Sequence, residues 1–526
     1  MNTKTTQKHF SSRQFITFGI NYIAGFVFVA TALSLFELGP LWILVFLIST
    51  FIALAVMLCY SKMSESSSER FGGPYIYASE AFERKKLTSR MFIFITGWNN
   101  YIGPLISSAT VPLFLVSVFS SFINTDDRVA QWILIGFGLA IFVFLTFIST
   151  LGYKLSKGLI FSFALIKWLV IATAFILAIV LIAQSAGIGF QENYLLTYKS
   201  KPRKISITQI IQITTAFFYS YGGFEDLSVM SPEVKTKSFK KNLSLLFIIV
   251  FAIYAVGLLI LSGLPLGATN NSETFKRIQG YSDIYRAVGG ITTLSFFAIG
   301  SLSNSIASRI SGIITNSFKL VPLSEDGYLS KYFLVKNNKN KFSRIIYLTL
   351  ILSLTLMVLV FFVSLISEKT DFDLAIRRAA GISGASGLFQ YVLGFITFFV
   401  YYHKGKIKDK TNWKNIVSLI IQAISFVLII IILFLFFFPI DTKTENNQTY
   451  IILNWGVENT LNIALYPVVL LLGYILFFIA EHNTKKELQE AKLTPTELFY
   501  SSKRKTSFYN LDPQEDLQNK NNSNKQ

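Results

Sequence analysis

Residues 217–226 read Phe217-Phe218-Tyr219-Ser220-Tyr221-Gly222-Gly223-Phe224-Glu225-Asp226. They belong to an apolar run, about 207–230, long enough to cross ~30 Å of hydrocarbon at ~1.5 Å per residue. Two adjacent glycines and two carboxylates interrupt it. Glycine lowers the cost of unwinding, and an unwound turn exposes N–H and C=O groups that need partners. In lipid such groups persist only where they line a cavity or meet a ligand. Near the N-terminus a second apolar run carries a comparable tract, Phe18-Gly19-Ile20-Asn21-Tyr22-Ile23-Ala24-Gly25-Phe26. The two tracts predict two interrupted membrane helices facing one another.

The rest of the chain is built for lipid. Of 526 residues, 52% are hydrophobic and only 15% charged, too few charges to coat a soluble domain of this size. About twelve apolar runs are long enough to span a bilayer: 15–35, 41–61, 91–122, 131–150, 158–183, 207–230, 243–266, 287–318, 345–367, 379–402, 415–439 and 461–480. The first is too long for a signal-peptide core and lacks a small-residue cleavage site after it. With the N-terminus inside, 34 of the 48 Lys and Arg fall in cytoplasmic segments and 12 in outer loops. That bias predicts a multi-pass protein of the cell membrane with both termini cytoplasmic. The net charge of +19 is therefore mostly topological, with some attraction to anionic lipid, rather than a nucleic-acid footprint. A single cysteine, Cys59, excludes an intramolecular disulfide, and His9, His403 and His482 all lie outside the apolar runs. No metal or cofactor site is expected.

Spans one and six are five apart, and because five is odd a second five-span unit enters the membrane from the opposite face. That is the inverted-repeat arrangement, with paired broken helices near the midplane. Counted from the cytoplasmic ends of their spans, Gly25 and Gly222 lie about 15 and 12 Å deep, and Lys167 about 14 Å. The organisation expected is a short segment 1–14, a ten-helix core over 15–402 with halves 15–183 and 207–402, two further helices over 403–481, and a polar tail 482–526. Residues 74–90 read as a cytoplasmic amphipathic segment. A half-helix N-terminus offers N–H groups to a carboxylate, and a half-helix C-terminus offers carbonyls to an ammonium. Such a pair suits a zwitterion.

Within the assigned spans the ionisable residues are Lys167, Glu225, Asp226 and Arg309, each a functional candidate because intramembrane charge is costly. Lys167 could shed its proton when desolvated, or could snorkel to the interface or pair with a neighbour. Glu225 could relay protons or brace the break. Arg309 is expected to pair with a carboxylate on a neighbouring helix or reach the cytoplasmic side, with direct substrate contact the weaker reading. Ser305 and Ser308, three apart on one helix face, could ligate an ion or act as packing glue. Gly222 and Gly223 could equally serve close helix approach.

Three stretches resemble the amino acid–polyamine–organocation superfamily of permeases. Gly72-Gly73-Pro74-Tyr75-Ile76-Tyr77 with Ala81-Phe82 is similar to the family's signature before the third span. Gly223-Phe224-Glu225 with Pro232-Glu233-Val234-Lys235 resembles its sixth-span motif. Asn304-Ser305 with Ser308-Arg309, and then 324–329, resembles the eighth span and its following loop. The likeness covers roughly 12–405 and implies an all-α, LeuT-like fold of five plus five helices with two more. It implies that Asn21, Tyr22, Ile23, Ala24, Gly25 and Phe26 contact the substrate carboxylate. Tyr219, Ser220, Tyr221, Gly222, Gly223 and Phe224 would contact the amine and side chain. Lys167 matches a fifth-span lysine of proton-coupled members, where an ammonium stands in for sodium. The chain departs from the family where Ile23 and Ala24 precede Gly25, in place of an I-G-x-G pattern.

The expected function is secondary transport of amino acids with protons as coupling ion. Exchange against a related amine is an alternative, and so is a non-transporting sensor sharing the same site. A membrane enzyme would need a clustered nucleophile and base near a membrane face, and an ATP-driven pump would need a G-x-x-x-x-G-K-[ST] loop, which does not occur. Beyond Glu225 and Asp226 no acidic side chain is available near the breaks for a cationic substrate.

Overall fold

The computed structural model describes residues 10–66, 72–84, 86–108, 118–119, 122, 128–150, 153–185, 187, 189–190, 194, 197–198, 201–202, 205–235, 238–264, 281–338, 342–366, 372–407, 413–445, 448–453 and 457–491. The expected tails therefore lie largely outside the described residues, as does the last third of the expected third span.

The chain is helical almost throughout. In order, the helices are α1 (Ser12–Ile23), α2 (Phe26–Leu35), α3 (Leu41–Ser66), α4 (Pro74–Ala81), α5 (Leu87–Ser107), α6 (Arg128–Ser149), α7 (Tyr153–Gln184), α8 (Ile207–Phe218), α9 (Phe224–Ser228), α10 (Phe239–Leu261), α11 (Tyr281–Glu325), α12 (Ser343–Ile366), α13 (Phe372–His403), α14 (Trp413–Phe437) and α15 (Val457–Ala491). Serines start several of them. At α1, Ser11 Oγ accepts from Gln14 N at 3.3 Å while Gln14 Oε1 accepts from Ser11 N at 3.1 Å, a reciprocal cap. Ser206 and Ser238 cap α8 and α10 in the simpler way.

Among the described residues, seven helices are long and apolar enough to cross a membrane: α3, α6, α7, α10, α13, α14 and α15. Four of the five other expected spans fall short of that measure for physical reasons. The first and sixth are each split, into α1 and α2 and into α8 and α9. The third and eighth, α5 and α11, carry inward-facing polar residues such as Asn99, Asn100, Asn304 and Asn316.

Side-chain placement on α14 shows a lipid-facing helix. Ile416, Ile420, Ile424, Val427, Ile431 and Phe434 recur every three or four residues and are all exposed. Ser418, Gln422 and Ser425 are buried on the opposite face. Apolar groups outside and polar groups inside reverse the soluble pattern, and an apolar surface this large needs lipid to cover it. Inside, α11 packs along α7, where a Cβ at Gly300 would come within 2.5 Å of Val170. Close approach of small residues is how helices associate without a hydrophobic driving force.

Two features differ from expectation. α4 is not the amphipathic segment expected, since Pro74, Tyr75, Ile76, Tyr77, Ala78 and Ala81 are all buried. Tyr75 is tied to Asp326 at the far end of α11 by a hydrogen bond. Arg84, in the turn beyond α4, pairs with the same carboxylate at 2.8 Å. Strands also occur: Phe10–Ser11 pairs in parallel with Val234–Lys235, and Ile440–Glu445 forms a hairpin with Gln448–Leu453.

Candidate functional site

The helix interruption predicted near Gly25 lies between α1 and α2. Ala24 leaves helical geometry (φ −78°, ψ 87°) and Gly25 is extended. Carbonyls at the end of α1 then turn to side chains. Lys167 Nζ, from the middle of α7, donates to Asn21 O at 3.0 Å and to Ala24 O at 3.3 Å. Tyr254 Oη, from α10, donates to Ile23 O at 3.3 Å.

The second interruption lies between α8 and α9. After one 3-10 turn, Tyr219–Tyr221, the chain extends at Gly222 (φ −61°, ψ 141°) and enters the left-handed region at Gly223 (φ 125°). Only glycine takes that conformation without strain. The position is crowded too, since a Cβ at Gly223 would lie 2.9 Å from the Tyr22 ring. Here Tyr254 Oη also donates to Ser220 O at 2.6 Å, so one hydroxyl touches both interruptions. Glu225 Oε2 accepts from Gly223 N at 3.1 Å and from Tyr391 Oη at 2.9 Å.

Between the two interruptions lies a cavity of about 220 Å³. Pockets for drug-sized ligands run from ~300 Å³ upward, so this one suits a small molecule. Asn21, Tyr22, Ile23, Gly25, Tyr219, Gly222, Gly223, Glu225, Ser305 and Ser308 line it. Five other candidates point elsewhere or do not reach it. Ser220 Oγ meets Thr31 Oγ1 at 2.9 Å, Tyr221 Oη meets Thr50 Oγ1 at 2.8 Å, and the Phe224 ring packs on Phe247. Ala24 turns its carbonyl to Lys167, which itself stands behind the first interruption rather than in the cavity. Phe26 opens α2, and its side chain lies outside the described residues.

With two broken helices on either side of a small cavity, the comparisons with known proteins become decisive. The family model described as amino acid permease matches residues 10–457. The chain belongs to the amino acid permease family. It is therefore a multi-pass membrane transport protein and not an enzyme, and its family implies a small-molecule substrate. It is also similar to proteins of two mycoplasmas. Identity is 39% over 489 residues to the uncharacterised protein MG225 of Mycoplasma genitalium, covering 93% of this chain and 98% of that one. The uncharacterised MG226 of the same organism is 31% identical over 501 residues, covering 92% and 98%. The MG226 homologue of Mycoplasma pneumoniae is 31% identical over 506 residues, covering 92% and 97%.

The permease holds more buried charge than its assigned spans suggested. Lys319, placed by sequence just past the eighth span, is inside α11 and forms a 2.5 Å ion pair with Asp226. Lys319 Nζ also donates to Asn100 O at 2.8 Å, and Tyr22 Oη donates to Asp226 Oδ2 at 2.6 Å. The charge of Asp226 offered a signal for this, because a carboxylate at that depth calls for a cation. Adjacent amides in an apolar run were a second missed signal. Asn99 Nδ2 donates to Gln390 Oε1 at 2.9 Å, and Asn99 Oδ1 accepts from Tyr466 Oη at 2.6 Å. Together these bonds join α5, α13 and α15 at the cavity wall, which Asn99 and Gln390 help to line.

Arg309 corrects another expectation. It neither reaches the cytoplasmic side nor pairs with a carboxylate among the described residues. It is buried in the cavity wall with its guanidinium 3.5 Å from the centre of the Phe142 ring. Ser305 and Ser308 both line the cavity, but their hydroxyls donate back to Ser301 O and Asn304 O of their own helix at 3.0 and 2.6 Å, a common habit of helical serines. Among the described residues no three His, Cys, Asp or Glu side chains gather closely enough to hold a metal ion.

Proposed function

We propose that this permease is a proton-coupled secondary transporter of amino acids, built as five plus five helices in inverted repeat with α14 and α15 added and both termini in the cytoplasm. One observation carries the proposal: two helices are interrupted on opposite walls of a small cavity, and a buried lysine stands on the carbonyls of one interruption. The start of α2 presents N–H groups to a substrate carboxylate. The end of the 3-10 turn at Tyr219–Tyr221 presents carbonyls to its ammonium. Neither contact needs a charged side chain, so a zwitterion binds and is released.

Coupling follows from Lys167. Protonated, its ammonium donates to Asn21 O and Ala24 O and holds the first interruption in place. Deprotonated, it gives up that hold, and the two access states of the carrier shift in population. The test is uptake of a radiolabelled amino acid panel into proteoliposomes, with and without an inward proton gradient and with and without internal substrate. Uptake driven by the gradient alone supports symport. Uptake that requires internal substrate makes the protein an exchanger. Saturable binding with no uptake under either condition makes it a sensor.

A further inference from the structure

We infer that Arg309 forms a subsite for a side-chain carboxylate, so that the substrate is an amino acid with an acidic side chain. The inference rests on the transport function proposed above and specifies its substrate. Only 6% of Arg309 is exposed, and it lies in the cavity wall. Its Nε and Nη2 have no hydrogen-bond partner among the described residues. One face of the guanidinium is closed by Phe142. A guanidinium stays charged in any protein environment, and its planar fork suits a carboxylate held by two parallel hydrogen bonds. A buried cation without a counter-charge is costly, and here the resident carboxylates are committed elsewhere. Asp226 is taken by Lys319 and Tyr22, and Glu225 by Tyr391 and the backbone of Gly223.

Charge balance points the same way. The buried groups in and around the cavity are Lys167, Arg309 and Lys319 against Glu225 and Asp226. At full ionisation three positive and two negative charges leave an excess of one positive charge. A zwitterion leaves that excess untouched, whereas an amino acid carrying one further carboxylate cancels it. Placement is suitable. Asn304 Oδ1 lies 3.6 Å from where a Cβ of Gly25 would be, which puts residue 304 level with the first interruption. Arg309 is five residues further along α11, about 7.5 Å in rise, and helical side chains lean back toward the N-terminus, which narrows the gap.

The experiment measures competition against labelled substrate in proteoliposomes holding the full chain, with glutamate and aspartate compared to their uncharged isosteres glutamine and asparagine. The expected result is that the acids compete at least tenfold better than the amides. Arg309→Gln is expected to erase that ratio while leaving amide uptake measurable, and Arg309→Lys to retain part of it. Equal competition by acids and amides in the unaltered protein overturns the inference, whatever the variants do. So does an unchanged ratio in Arg309→Gln. Uptake of amides that needs chloride, and loses the need in Arg309→Gln, also overturns it by making the bound anion chloride. Uptake of neutral amino acids alone refutes only the acidic subsite, whereas absence of uptake and binding for every amino acid refutes the transport function and this inference with it.

Discussion

Asp226 Oδ1 and Lys319 Nζ lie 2.5 Å apart with 5% and 1% of their side-chain surfaces exposed, joining the short helix after the second interruption to the C-terminal half of α11. Tyr22 Oη on the other carboxylate oxygen brings α1 into the same cluster. Losing one partner strands a buried charge, which costs about 3–5 kcal/mol. Lys319→Met is expected to lower the thermal unfolding midpoint of the detergent-solubilised protein sharply. The double variant Asp226→Asn with Lys319→Met should recover more than half of that loss, because neither charge is then left alone.

Lys167→Ala removes the ammonium from Asn21 O and Ala24 O. Uptake by the unaltered protein is expected to rise as the outside is acidified. In the variant, uptake measured across the same pH series should be flat, with the protein still inserted and monodisperse. A variant with the full pH response would assign coupling to another group.

Gly223→Ala meets two penalties. Its φ of 125° is strained for any side chain, about 1–2 kcal/mol, and the new methyl would lie 2.9 Å from Tyr22. Gly222 has an ordinary φ of −61°, and a Cβ there comes no closer than 3.2 Å, to Tyr219 O. Initial uptake rates should therefore fall at least about tenfold in Gly223→Ala, and markedly less in Gly222→Ala.

Tyr254→Phe deletes one hydroxyl and two hydrogen bonds, to Ile23 O and Ser220 O. At about 0.5–1.5 kcal/mol each, their loss should raise the half-saturating substrate concentration by roughly tenfold. Thr50→Val removes the partner of the neighbouring Tyr221 and touches neither interruption carbonyl. It should leave that concentration nearly unchanged.

Legibility in the sequence tracked local contrast. Gly25 and Gly222-Gly223 stand out because glycine beside polar residues breaks an otherwise apolar run, and α1 and the 3-10 turn after α8 end next to them. Lys167 stands out as an isolated charge amid Phe, Leu, Ile and Val. Lys319 did not, because α11 continues to Glu325 past the end of its apolar window, and hydropathy reads lipid contact rather than burial. The same confusion made α4 look like part of an amphipathic segment. Its small and aromatic side chains are covered by other parts of the protein, which no count along the chain reveals. Arg309 shows the limit for pairing. Sequence locates a charge, but what faces it depends on how α6 and α11 meet.

The two-residue rung between Phe10–Ser11 and Val234–Lys235 leads directly into α1 on one side and follows α9 closely on the other. Ser11 also caps α1, so the rung and the helix start share a residue. Any motion that swings α1 must therefore pull on the segment that follows α9, and the rung acts as a lever between the two. Deleting the chain through Ser11 cuts that lever in two, while a tag ahead of Phe10 leaves it whole.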